Sequence, residues 1–106
     1  MDKGLVYYQD QQAGIIELGK SKVYVFTYDS DYIKDGGELV SQTLPLQQEP
    51  FESDVLFPFF DGLIPEGWLL DVAADTWKIS PSDRWRLLLK VCQDCIGAVK
   101  IIADES

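Results

Sequence analysis

Few residues of this chain have the types and spacing for chemistry. Cys92-Gln93-Asp94-Cys95 sets two thiols at the C-x-x-C spacing used by redox couples and by half-sites for zinc. Acid pairs at Asp29/Asp31, Asp71/Asp75 and Asp104/Glu105 could hold a metal or exchange protons. A structural zinc needs four ligands, and the 106 residues contain no histidine and no second cysteine pair, so carboxylates would have to complete the site. Thioredoxin-like pairs sit at a helix N-terminus, which lowers the thiol pKa, whereas this pair follows the end of a helical stripe. Both cysteines are therefore expected as small buried hydrophobes. The acid pairs have no histidine, no nucleophile–base pair and no phosphate-cradling glycine pattern beside them, and read as solvated charge. The chain is expected to be a non-enzyme, with no catalytic residue, no metal and no cofactor.

What remains is a tryptophan that the local periodicity does not bury. In Phe59-Phe60-Asp61-Gly62-Leu63-Ile64-Pro65-Glu66-Gly67-Trp68, Gly62 can take the left-handed conformation that ends one helix. Pro65 suits the first position of the next. The expected helix runs from Pro65 to about Trp77, with Leu69, Leu70, Ala73 and Trp77 on its buried face and Trp68 nearly opposite, beside Asp71 and Asp75. A tryptophan so placed either anchors an interface or folds under the 29–50 loop. The candidate partner-binding residues are Ile64, Pro65, Glu66, Gly67, Trp68, Asp71 and Asp75, the acids being suited to basic groups of a partner. Lys78, Arg84, Arg86 and Lys90 form the one basic patch expected on an acidic chain. They are too few to claim nucleic acid.

Those residues need a scaffold. Leu5–Tyr8, Ala13–Leu18 and Val23–Tyr28 are rich in β-formers, and the breaks between them are short enough for hairpins, so the first 28 residues predict an antiparallel meander. In the third run both alternating faces are largely apolar, so at least one must be covered by helices. Residues 29–50 read as turn-rich, with Asp35-Gly36-Gly37 a loop and Leu44-Pro45-Leu46 an edge or extended segment. A short helix is expected from Ser53 or Asp54 to Asp61, with Phe57, Phe59 and Phe60 in the core. Another helix starts with Ser80 as N-cap and Pro81 at its first position, and carries the stripe Trp85, Leu88, Leu89 and Cys92. Trp77 and Trp85 are both expected in the core. Gly97–Ile102 closes the sheet, and 103–106 fray. The expected fold is α+β, one domain over 1–106, a small antiparallel sheet of meander plus C-terminal strand packed against about three helices.

The formal charge of −9 argues against direct nucleic-acid binding, which needs a lysine- and arginine-rich face. No apolar run is long enough to span a bilayer and no basic-then-apolar leader opens the chain, so a cytoplasmic location is expected, away from any membrane.

The FFDGLIPEGW segment, with Gln93-Asp94-Cys95-Ile96-Gly97-Ala98-Val99 further on, resembles the small N-terminal subdomain of the HipA-type toxin kinases in order and spacing. The resemblance extends, more loosely, to the strand-rich amino-terminal region and the segment around Leu44-Pro45-Leu46. The chain departs from the family pattern at Gly62, where asparagine is common, and at Cys92-Gln93, where a Gly-Arg pair is common, so no role of that pair carries over. The resemblance implies that the phosphate-binding loop, catalytic aspartate and metal ligands of the kinase all lie outside these residues. It further implies a regulatory piece, similar to the small protein HipS, which serves as antitoxin beside a shortened kinase HipT and a DNA-binding HipB. The implied partner is a HipA/HipT-type serine/threonine kinase bound and inhibited in trans, with a HipB-like protein as a further candidate in a ternary complex. One alternative is a non-inhibitory structural lobe of a split kinase; another is a solitary ligand-binding domain.

Overall fold

Gln9 and Asp10 both take positive φ, 50° and 67°, as a two-residue hairpin turn requires. They join β1 (Asp2–Tyr8) to β2 (Gln11–Leu18), and β3 (Tyr24–Tyr28) pairs antiparallel with β2. The computed structural model describes residues 2–19, 21–64, 66–91 and 98–104. With β4 (Phe51–Ser53) on β3 and β5 (Val99–Asp104) on β1, the sheet is antiparallel in the order β4-β3-β2-β1-β5. The expected meander plus C-terminal strand is present, within an α+β fold that has four short helices among the described residues.

Alternation along each strand sends Val6, Ile16, Phe26 and Ile101 to one face, where all are fully buried. Two helices cover that face. From α4 (Arg84–Val91) come Trp85, Leu87, Leu88 and Leu89, and from α2 (Pro58–Asp61) comes Phe60. Phe26 and Phe60 meet with ring centroids 5.3 Å apart, and Tyr24 meets Trp85 at 5.8 Å. Burying each such large apolar side chain stabilises the fold by about 1.5–3 kcal/mol. The helix layer lies so close to β1 that a Cβ on Gly4 would stand 2.9 Å from both Leu89 Cδ2 and Ile101 Cγ2. Only glycine fits there without displacing its neighbours.

Several expectations are corrected. Residues 53–57 are not helical. Phe51–Ser53 extends the sheet edge, and the helix begins only at Pro58, because a residue before proline is pushed out of the α region, as Phe57 is with ψ 133°. Residues 29–50 contain a helix that was not expected, α1 (Ser30–Lys34), held by its N-cap. The Asp29 carboxylate accepts from the amides of Asp31 (2.9 Å) and Tyr32 (3.3 Å). Leu44-Pro45-Leu46, expected as an edge or extended segment, joins no strand of the sheet: Leu44 makes one isolated bridge with Ser41 and turns into the core. The Tyr28 hydroxyl fixes it there, donating to the Leu44 carbonyl while accepting from the Val40 amide at 3.1 Å.

The last helix starts three residues later than the Ser80 cap implies. Asp83 takes the capping role, accepting from the Arg86 amide at 3.2 Å, while Ser80 and Ser82 close a turn ahead of it. Ala103 and Asp104 belong to β5 and are not frayed, whereas Gly97 lies outside the described residues. Phe57, Phe60, Trp85, Leu88 and Leu89 are core as expected, and Phe59 packs against them half-buried. No helix of the described residues is long and apolar enough to cross a membrane.

Candidate functional site

The segment singled out by its tryptophan joins α2 to α3 (Gly67–Trp77). Gly62 does not take the left-handed conformation; its φ and ψ are −69° and −13°, so the chain leaves α2 through a further tight turn. The amides of Leu63 and Ile64 donate back to Phe60 (3.1 Å) and Asp61 (3.2 Å). The positive-φ glycine of the segment is Gly67, at 62°, where Glu66 ends its extended conformation and the helix begins. Glycine bears that angle without strain.

One ion pair holds this junction to the core. Arg84 Nε donates to Asp61 Oδ1 at 2.7 Å, and its Nη2 donates to the Asp61 carbonyl at 3.3 Å. The hydrogen bond to Asp61 raises the Arg84 pKa above its ordinary value; partial burial opposes the shift, and the charges of Asp61 and Glu66 reinforce it. Arg84 is thus spent on the scaffold and is not part of an open basic patch. Lys78 is also not isolated, since its Nζ lies 3.8 Å from Asp75.

The far end of α3 closes with Lys78 in the left-handed conformation (φ 56°, ψ 44°). The Ile79 amide donates to Ala74 (2.9 Å) and the Lys78 amide to Asp75 (3.3 Å), a Schellman pairing whose apolar contact joins buried Ala74 and Ile79. Beside it lies an open groove of about 310 Å³ lined by Asp71, Ala74, Asp75, Lys78, Ile79 and Pro81. An apolar floor between carboxylates suits the stem and head of a lysine or arginine from another molecule.

Of the expected contact residues, Glu66, Gly67, Asp71 and Asp75 are exposed. Ile64 turns inward and is 2% exposed, so its side chain anchors the junction in the core. Pro65 lies outside the described residues. Trp68 is the second residue of α3, and its side chain lies outside the described part. Cys92 and Cys95 also lie outside it. Among the described residues no group of three or more His, Cys, Asp or Glu could hold a metal ion.

The buried face of α3 differs from expectation. Leu69 and Trp77 are 51% and 49% exposed, and Val72 53%, whereas Ala74 is 5% exposed and Leu70 packs half-buried against the core. The helix rests on α4 through that narrow Leu70–Ala74 strip. Leu69, Ala73 and Trp77 recur at helical spacing and were expected to be buried, but periodicity does not say which stripe faces the core. The clamp by Arg84 left no signal in the sequence.

Comparison with known proteins agrees over nearly the full length. A family model described as the HipA N-terminal domain matches residues 4–102. A solved structure described as the N-terminal domain of HipA toxin superposes with a TM-score of 0.76 and 32% identity, covering 100% of this chain and 95% of that one. An uncharacterized protein of Haemophilus influenzae is 43% identical over 80 residues, 76% of this chain and 73% of that protein. The putative kinase Y4mE of Sinorhizobium fredii is 32% identical over 81 residues, 76% of this chain but only 19% of that protein.

Proposed function

The chain belongs to the HipA N-terminal domain family, and from that membership we propose that it is a non-catalytic regulatory subunit, an antitoxin that binds and inhibits a HipA/HipT-type serine/threonine kinase in trans. The observation that carries this reading is the match itself, at 32% identity over 100% of this chain and 95% of a solved HipA N-terminal domain. The Haemophilus relative is matched over 73% of its own length, which supports the same domain serving as the main body of a small protein.

In this reading the contact is made by the α2–α3 junction and the start of α3, through Pro65, Glu66, Gly67 and Trp68, with Asp71 and Asp75 one and two turns further on. The carboxylates face basic groups of the kinase, and Ile64 and the Arg84–Asp61 pair hold the junction in place. A cytoplasmic site of action and a HipB-like third partner belong to this reading.

A second reading is favoured by Y4mE, in which the same domain is continuous with a longer chain: a structural lobe that a split kinase needs for stability or substrate docking. One experiment tests both. A HipA-type kinase from the chain's own genome is expressed with and without this protein, and growth, complex formation and phosphotransfer are followed. Growth arrest by the kinase alone, relieved on co-expression with a co-purifying complex, is expected. Kinase activity that rises when the protein is added supports the structural lobe, and a genome without such a kinase, or a kinase that does not bind, overturns both.

A further inference from the structure

We propose that the outward stripe of α3, Leu69, Val72 and Trp77, is a docking face for a protein surface with an apolar centre and a lysine- and arginine-rich rim. Resting on the function proposed above, the occupant is the body of the HipA-type kinase. The helix is turned the unusual way. Its larger apolar side chains, Leu69, Val72 and Trp77, face outward, and its narrower side, Leu70 and Ala74, meets the core. Of the large hydrophobic residues that are exposed among the described residues, three of six lie on this one helix of 11 residues. Exposed apolar side chains scattered singly need no explanation, but such a cluster on one helix face marks a binding surface.

Charge decides the occupant. The helix carries Asp71 and Asp75 and no lysine or arginine, and Glu66 stands exposed at its start. A second copy would bring the same carboxylates against these, on chains that each carry −9. A partner with basic residues around an apolar centre gains where a second copy loses, and the groove at Asp71, Asp75 and Lys78 offers such a residue a seat.

The test is calorimetry of the whole protein with the kinase body, comparing wild type with Leu69→Ser/Val72→Ser, folding being verified by circular dichroism. About a thirtyfold or greater loss of affinity is expected, together with wild-type binding that weakens as salt is raised. Wild-type binding with a folded double variant within threefold overturns this docking face while leaving the proposed function standing. Absence of wild-type binding overturns the function itself and this inference with it. A wild type that self-associates through α3, made monomeric by the two substitutions, overturns the heterologous partner. Should the double variant fail to fold, hydrogen exchange on the wild-type complex decides: amides of 69–77 slowed by the kinase support the face, and unchanged exchange overturns it.

Discussion

Arg84 and Asp61, on different helices, are joined by a guanidinium that donates to both the carboxylate (2.7 Å) and the backbone carbonyl (3.3 Å) of the same residue. Because Asp61 is the last residue of α2, this pair sets where the chain departs toward α3. The side chains are 31% and 43% exposed, so solvent screens the Coulomb part. Arg84→Met should cost about 1 kcal/mol by urea unfolding. Arg84→Met and Asp61→Asn should be non-additive in a double-mutant cycle, and additive costs would show that the two side chains do not support each other.

Tyr28 gives a pH dependence of known sign. Burial raises its pKa above the ordinary 10.0, the bond with Val40 opposing, and burial likewise raises that of Tyr32. A phenol harder to ionise when folded contributes stability that is complete below pH ~10 and is lost as pH rises through the folded value. Thermal melting should therefore fall at alkaline pH and fall less in Tyr28→Phe. At neutral pH that variant leaves the Val40 amide and Leu44 carbonyl without their partner, at a cost of about 1–3 kcal/mol. An alkaline profile unaffected by the substitution would assign the loss to other groups.

The tryptophans at 77 and 85 should separate by stability. Trp85 is 4% exposed and meets the Tyr24 ring at a tilt of 59°, so Trp85→Ala should cost about 3–5 kcal/mol. Trp77 is 49% exposed, and Trp77→Ala should cost about 1 kcal/mol or less. Chemical denaturation of the two variants checks the order, and similar costs would mean that Trp77 is covered in the free protein.

Lys78 occupies the left-handed position that closes α3, a conformation that costs a residue with a Cβ and costs glycine nothing. Its ion pair with Asp75 joins side chains that are 83% and 86% exposed and contributes little. Lys78→Gly should therefore raise stability, by about 0.5–1 kcal/mol in thermal or urea unfolding. A loss would show that the lysine makes contacts that outweigh its backbone strain.

The sheet was legible because its signals are local. Leu5–Tyr8, Ala13–Leu18 and Val23–Tyr28 are rich in β-formers and the breaks between them are short enough for hairpins, the first of which closes in the structure to the two residues Gln9 and Asp10. The core stripe of α4 was legible for the same reason, through Trp85, Leu88 and Leu89. What was not legible depends on comparing environments. Leu69 and Trp77 are as apolar as Leu70 and Ala74, and only the packing of α3 on α4 decides which pair is buried. Arg84 reads as free positive charge until Asp61, 23 residues earlier, is brought beside it. Phe51–Ser53 is too short to announce itself and becomes a strand because β3 offers an unpaired edge.

Position 68 carries the sharpest functional test. It is the second residue of α3, and helical spacing sets it one turn before Asp71 and Val72. A tryptophan anchor in a partner pocket is typically worth about 2 kcal/mol or more, roughly thirtyfold in affinity. Trp68→Ala should therefore cost the kinase complex at least that factor and abolish relief of growth arrest, while the free protein melts within a few degrees of wild type. Glu66→Gln, Asp71→Asn and Asp75→Asn should weaken binding less, and mainly at low salt, because exposed charges are screened within a Debye length of about 10 Å at 0.1 M. Full binding and full rescue by a folded Trp68→Ala would remove this residue from the interface, and a melted protein would place it in the core.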